Sequence, residues 1–145
     1  SKVRRKSLNN KDKRFFNIAK EVSKLSDFHG AHIGAVVVEG KHIISSDFNS
    51  FKTRPLQFQY NIYRNFKDYP NSQATQHAEI GALSRLIGKD INWSNVSIYT
   101  YRELKDGTIA CSRPCPACMA LIKKLGIKTI YYTDECGNFV KEKIL

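Results

Sequence analysis

Two short stretches decide the interpretation of this sequence: His77-Ala78-Glu79 and, further along the chain, Pro114-Cys115-Pro116-Ala117-Cys118. Each stands at or near the start of a predicted helix. Together they supply one imidazole, two thiolates and one spare carboxylate, a set that suits a zinc ion with one open coordination position. We therefore predict that His77, Cys115 and Cys118 bind Zn²⁺ in a single catalytic site.

Glu79 is the carboxylate that this set leaves over. It lies two residues beyond His77, about 200° around a regular helix, so it is poorly placed to bind the same ion. Three protein ligands leave the fourth position to water, whose pKa falls toward about 7 on zinc. We predict that Glu79 is catalytic and carries a proton from this water to a ring nitrogen and then to a departing amine.

The cysteines favour a metal site over disulfides. All four lie in the last quarter of the chain, which is a poor framework for bridges across a secreted fold. A lone Cys-x-x-Cys also fits a redox pair, and His77 with Glu79 favours zinc. Cys111 and Cys136 do not belong to the pattern. We expect Cys111 to be a buried or idle thiol, although it could compete for the metal or form a structural site, and the role of Cys136 stays open.

Length and composition indicate one domain. The chain has 145 residues, of which 41% are hydrophobic and 26% charged, typical of a globular protein. No apolar run approaches the ~20 residues of a membrane span, and the basic N-terminus lacks the apolar core of a secretory signal. We expect a cytoplasmic protein without a membrane partner, with residues 1–9 as a basic mobile arm and residues 10–145 as one domain.

The net charge of +11 is concentrated at the N-terminus, because the first fourteen residues hold seven basic side chains against one acidic, Asp12. Two interpretations stay open for the arm. It is either a solvated terminus or a segment that follows the phosphates of a single-stranded nucleic acid, with an affinity that depends on salt.

Hydrophobic periodicity predicts the elements around the motifs. A helix is expected at about residues 11–25, capped by Asn9 or Asn10, followed by a hairpin of strands at about 31–38 and 42–48 with its turn at Glu39-Gly40-Lys41. The remaining expectations are a helix at 76–86, a strand at 96–101, a turn at 105–107, a helix from Pro114 to Leu125 stopped by Gly126, a strand at 128–133, and a strand or short helix at 139–144.

Aromatic and basic residues alternate between Asn49 and Gln76. Helical spacing predicts a short helix after Pro55. The aromatic rings either cover the core or form a wall that stacks on a base. The aromatic residues concerned are Phe51, Phe58, Tyr60, Tyr63, Phe66 and Tyr69.

The two motifs resemble the signature of the zinc-dependent cytidine deaminase superfamily, His-x-Glu followed by Pro-Cys-x-x-Cys. The order of predicted elements is similar over about residues 11–145. The resemblance implies a three-layer α/β/α fold in which the motif helices pack on a central mixed sheet of about five strands. It also implies that Asn49, at the end of the second strand, and Ala78 bind the substrate, although Asn49 could equally be a turn residue that closes the hairpin. Members often assemble, so a homo-oligomer is expected.

Different parts of the chain resemble different branches of that superfamily. The run from His77 to Leu83 looks like the deoxycytidylate and tRNA-adenosine deaminases. The passage from Tyr99 to Pro114, and an ending that permits an antiparallel final hairpin, look more like the free-nucleoside cytidine deaminases.

Three functions follow from these features. The leading hypothesis is hydrolytic deamination of a cytosine base in a nucleoside or nucleotide. The second is deamination of cytosine or adenine within single-stranded DNA or RNA, favoured by the basic arm. The third, an inactive zinc-stabilised nucleic-acid-binding module, is disfavoured because a structural zinc site has no need of Glu79.

Overall fold

The computed structural model describes residues 2–4, 8–64 and 75–145, with the backbone alone for residues 2–4. Phe66, Lys67 and Tyr69 of the aromatic segment therefore lie outside the described residues. The strands are β1 (Lys2–Arg4), β2 (His32–Glu39), β3 (His42–Phe48), β4 (Val96–Glu103), β5 (Ile109–Ala110), β6 (Thr129–Thr133) and β7 (Phe139–Lys143). The α-helices are α1 (Asn10–Ser23), α2 (Pro55–Tyr60), α3 (Ala78–Ser84) and α4 (Pro116–Leu125), with 3₁₀ turns at Asn61–Tyr63 and Trp93–Asn95.

The strands form one mixed sheet in the order β1-β7-β6-β4-β2-β3, with β5 paired to the end of β4. Strands β4 and β6 are parallel, and the other pairs described are antiparallel. The mixed sheet is confirmed, and β1 and β5 extend it beyond the five strands expected. The final hairpin is antiparallel, so residues 139–143 form a strand and not a helix.

Alternation along β2 shows why the fold has three layers. Val36 and Val38 pack into a cluster with Phe15 and Phe16 of α1. Ala35 and Val37 pack into a second cluster with residues of α2, α3 and α4. Successive side chains of a strand point to opposite faces of its sheet. Helix α1 therefore covers one face, the motif helices cover the other, and the three-layer prediction is confirmed.

Gly34 allows α1 to approach β2 closely. A Cβ atom on Gly34 would lie 2.1 Å from the carbonyl oxygen of Ala19 and 2.6 Å from the backbone nitrogen of Ser23. Real Cβ atoms do not come this near to a backbone. Asn9 caps the same helix, as predicted, because its side-chain oxygen accepts a hydrogen bond of 2.9 Å from the backbone N–H of Asp12.

Part of the segment predicted as a mobile arm makes contacts with the rest of the domain. Lys2–Arg4 pair with residues 141–143 of β7, Leu8 packs against the α1 cluster, and Asn9 caps α1. Residues 1 and 5–7 lie outside the described part of the chain. Local sequence gave no sign of the β1 pairing because its partner is at the opposite end of the chain.

Both motif helices begin later than predicted. Helix α3 begins at Ala78 and α4 at Pro116, because His77 and Cys115 are N-cap residues with extended backbone. Gly126 ends α4 in the left-handed conformation, with φ of 98°. None of the helices in the described residues has the length and apolarity that crossing a bilayer requires.

Candidate active site

The site lies where the N-termini of α3 and α4 meet on one face of the sheet. His77 and Cys115 occupy the two N-cap positions, and neither side chain makes a capping hydrogen bond to its own helix. Both side chains are thereby available to face each other. Cys118, one turn into α4, is fully buried beside them. Among residues 8–64 and 75–145, these three form the one group of ligand atoms close enough to share a metal ion, with all separations within 4.8 Å.

The distances in this group fit zinc. Nδ1 of His77 lies 3.4 Å from Sγ of Cys115 and 3.4 Å from Sγ of Cys118. Tetrahedral coordination with Zn–S of about 2.3 Å and Zn–N of about 2.0–2.1 Å separates nitrogen and sulfur by about 3.5 Å. The donor atoms are thus already at the spacing that a zinc ion needs.

The two thiols are electrostatically unlike. A hydrogen bond from Cys118 lowers the pKa of Cys115 to about 4, and His77 acts in the same direction. Burial raises the pKa of Cys118 well above its usual value. The two cysteines therefore differ in thiolate character, and both would bind a metal as thiolates.

Glu79 lies in the first turn of α3 and is 5% exposed. Burial raises its pKa to about 7, partly offset by the charge of His77. Its carboxylate lines the same cavity as His77 and Cys115 but is not one of the grouped ligand atoms in the described chain. Because His77 is a cap residue, the helical angle of about 200° does not describe this pair, and the structure groups the three predicted donors while leaving the carboxylate of Glu79 outside the group.

Gln57 of α2 holds His77 in place, which the sequence did not reveal. Its side chain is fully buried, its Oε1 accepts a 3.0 Å hydrogen bond from the backbone N–H of His77, and its Nε2 donates to Oδ1 of Asn61 at 2.8 Å. A polar residue on a short helix carries no sequence signal of such a role. Helix α2, predicted only as a short helix after Pro55, thus supports a ligand.

A cavity of about 420 Å³ opens beside the donor group. The cavity lining is rich in arginine, a feature that motif spacing did not predict. Its lining includes three arginines, Arg64, Arg102 and Arg113, together with Ile33, Glu79 and Cys111.

Asn49 follows β3 and is buried outside this lining. Its Oδ1 accepts hydrogen bonds from the backbone N–H of Ile33 at 2.8 Å and the hydroxyl of Ser26 at 2.7 Å, and its Nδ2 donates to the carbonyl of Ala31 at 2.8 Å. Asn49 therefore fixes the start of β2, which carries Ile33 into the cavity wall. Ala78, the other predicted substrate-binding residue, is the first residue of α3 and is fully buried.

The aromatic segment is divided between core and surface. Tyr60 is buried in the cluster of the motif helices, whereas Phe51, Phe58 and Tyr63 are exposed. Of the two cysteines outside the motif, Cys111 lines the cavity without joining the ligand group, and Cys136 is exposed.

Known proteins share both the sequence pattern and the fold. Residues 9–134 match the family described as the cytidine and deoxycytidylate deaminase zinc-binding region. An uncharacterised deaminase from the luxG 3′ region of Aliivibrio fischeri is 26% identical over 129 residues, which cover 88% of this chain and 76% of that protein.

Two solved structures have a similar fold. The apo dCMP deaminase of cyanophage S-TIM5 has a TM-score of 0.59 and 18% identity, over 89% of this chain and 86% of that one. The cytidine deaminase of Burkholderia pseudomallei has a TM-score of 0.61 and 15% identity, over 94% and 93% of the two chains. Because the family match spans most of the sequence and includes both motifs, this chain belongs to the cytidine and deoxycytidylate deaminase zinc-binding family.

Proposed function

We propose that this protein hydrolytically deaminates a cytosine base in a nucleoside or nucleotide, giving uracil and ammonia. The observation that carries the proposal is the buried carboxylate of Glu79 beside the group formed by His77, Cys115 and Cys118. A site that served only to hold a metal would close its fourth position with a protein ligand and would not need a buried acid.

His77, Cys115 and Cys118 would hold the zinc ion. When bound, zinc supplies the Lewis acidity that makes water a nucleophile near neutral pH. The N-cap positions and the hydrogen bond from His77 to Gln57 keep the donors oriented in advance. Such orientation lowers the entropic barrier to both metal binding and reaction.

Glu79 performs the proton transfers in this proposal. It accepts a proton from the attacking water and passes it to the ring nitrogen N3, while the water oxygen bonds to C4. It then delivers the second proton of that water to the amino group. The C4–N bond breaks, ammonia leaves, and the oxygen remains as the carbonyl of uracil, so one water is consumed for each ammonia released.

Asn49 and Ala78 complete the proposed substrate site. Asn49 lies outside the cavity lining, and its hydrogen bond from Ile33 supports an indirect role, in which it positions the cavity wall next to the bound sugar. Ala78 supports the reaction through its place between a ligand and the acid.

A mass-spectrometric screen tests the reaction. Zinc-loaded protein would be incubated separately with nucleosides, mononucleotides and oligonucleotides, and each product examined for a gain of about one mass unit together with ammonia release. We expect the gain on cytosine compounds. Activity on adenine or guanine compounds alone would overturn the choice of base, and no deamination anywhere would favour the inactive binding module.

A second candidate is deamination within single-stranded nucleic acid. Phe58, Ile62 and Tyr63 are all more than half exposed, just before Arg64 at the cavity. Exposed aromatic groups beside cations suit stacking on unpaired bases.

The basic N-terminus provides the test of this candidate. Replacing Lys2, Arg4, Arg5 and Lys6 with glutamine preserves chain length and backbone, whereas deletion of residues 1–9 would also remove β1 and the Asn9 cap. If the polynucleotide candidate is correct, the glutamine variant loses oligonucleotide activity and salt dependence while mononucleotide activity persists. Equal loss on both substrates would contradict it. Homo-oligomer formation stays a prediction, which analytical ultracentrifugation would test.

A further inference from the structure

The three cavity arginines are not equivalent. Arg113 is already committed within the protein, because its Nε and one terminal nitrogen donate to the two carboxylate oxygens of Glu142 at 3.0 Å each. Glu142 is 1% exposed and also accepts a hydrogen bond from the hydroxyl of Tyr132. The charge of Arg113 is therefore balanced by a buried carboxylate and is not the anion-binding group of the cavity.

Arg102 is placed differently. It lies on β4 and, by the alternation of that strand, on the same face as Ile98, which packs with the motif helices. Its pairing partner on the adjacent strand β2 is Ile33, which also lines the cavity. Arg102 therefore reaches the cavity from strand β4, on the face of the sheet that carries the predicted metal ligands.

Not all hydrogen-bond donors of the Arg102 guanidinium have an acceptor among the described residues. One terminal nitrogen donates to the carbonyl of Cys111 at 3.2 Å, whereas Nε is buried and has no hydrogen-bond partner among the residues that the structure describes. Within residues 8–64 and 75–145, no acidic side chain forms an ion pair with it. Buried polar groups are nearly always hydrogen-bonded, so Arg102 has donor capacity at the cavity wall that the described residues do not satisfy.

We propose that Arg102 binds the phosphate of the substrate, so that the enzyme acts on a cytosine mononucleotide in preference to the free nucleoside. This inference rests on the proposed function and specifies its substrate class, and it sets the contacts of Arg102 above the likeness of the antiparallel final hairpin to free-nucleoside deaminases. Guanidinium groups bind phosphate oxygens through charge-assisted hydrogen bonds. Arg64 adds positive potential at the same cavity. The position of Arg102 inside a cavity of about 420 Å³ favours a terminal phosphate over a continuous strand.

The test compares substrate selectivity. For the zinc-loaded protein, kcat/KM would be measured on deoxycytidine monophosphate and on deoxycytidine, and the ratio compared among wild type, Arg102→Gln and Arg102→Lys. We expect the wild-type ratio to exceed about 10, and Arg102→Gln to lower it at least about tenfold, since one charge-assisted contact contributes that much. Arg102→Lys should give an intermediate ratio, because lysine keeps the positive charge but cannot form the two parallel hydrogen bonds of a guanidinium group.

Arg14→Gln is the matched control, because Arg14 lies on α1 across the sheet and its loss should leave the ratio unchanged. Binding of the product, deoxyuridine monophosphate, by calorimetry provides a readout independent of turnover, with at least about tenfold weaker binding expected for Arg102→Gln. Equal ratios in wild type and Arg102→Gln, or equal product affinity, would overturn the inference even if deamination occurs. Product binding that depends on Arg102 without any deamination would retain the phosphate site and refute the proposed reaction.

Discussion

At the residue scale, the site depends on two positions that helices normally use for capping. His77 and Cys115 have extended N-cap backbones, where serine, threonine, aspartate or asparagine would usually accept a hydrogen bond from the first turn. Here the side chains turn away from their own helices and toward each other. Each helix start thereby lacks a side-chain cap, and the two side chains instead join a group of donor atoms that could hold a metal ion.

Cys115→Ser tests one of these positions. Serine is a weak zinc ligand, so we expect the zinc content of the purified variant to fall at least about tenfold relative to wild type. The melting temperature should fall with it, because a metal that binds only the folded state stabilises that state. Zinc would be measured by elemental mass spectrometry and melting by calorimetry.

Cys136→Ser is the matched control, since Cys136 is exposed and outside the ligand group. It should keep both the zinc content and the melting temperature of the wild type. Full zinc retention in Cys115→Ser would remove Cys115 from the metal site.

At the element scale, most helices and strands could be predicted because their signals are local. The periodicity of α1, the turn at Gly40 and the left-handed Gly126 are all visible in a short window. Strand β1 could not be predicted, because its residues gain strand structure only by pairing with β7. The later starts of α3 and α4 could not be predicted either, since His77 and Cys115 are cap residues whose side chains make no local capping hydrogen bond.

Gly34→Ala tests the packing of α1 on β2. The new methyl group would overlap the backbone of Ala19 and Ser23, which cannot move without shifting the helix. We expect the free energy of unfolding to fall by about 3 kcal/mol, at the upper end of the usual cost of overpacking. Urea denaturation would measure the change.

Gly30→Ala is the comparison for this experiment. Its Cβ would meet only the ring of Phe28, at 3.1 Å, and a side chain can rotate away. A loss below about 1 kcal/mol is expected there. Equal stability of Gly34→Ala and wild type would contradict the close approach of α1.

The hairpin of β6 and β7 gives a prediction on pH. Burial, with the hydrogen bond to Glu142, raises the pKa of Tyr132 to about 12. The folded state therefore favours neutral tyrosine. This stabilisation is complete below the unfolded pKa of about 10 and is lost as the pH rises from about 10 through about 12.

Tyr132→Phe should make the free energy of unfolding fall less steeply than in wild type over that pH range, as measured by urea denaturation at intervals. At pH 8 the variant should be less stable by about 1–2 kcal/mol, because Glu142 loses a hydrogen bond. Tyr63→Phe, at an exposed position, should follow the wild-type curve. Identical slopes for Tyr132→Phe and wild type would show that Tyr132 does not contribute to alkaline unfolding.

At the scale of the whole molecule, the sheet brings together motifs that lie 38 residues apart, from His77 to Cys115. The donor set and Glu79 could be predicted, because the residue types and spacing already imply the chemistry. Arg102 and Gln57 could not, since their roles depend on the strand face and helix contact that folding creates. The hydrogen bonds of Asn49 likewise became visible only with the loop around Ala31 in place.

The most direct test of the account is the activity of Glu79→Gln at measured zinc content. Glutamine preserves the shape of the side chain and removes its ability to carry a proton. We predict that the variant binds as much zinc as wild type and deaminates its cytosine substrate at least about 100-fold more slowly, as expected on loss of a general acid and base. Wild-type rates at equal zinc content would contradict the central claim that Glu79 transfers the protons.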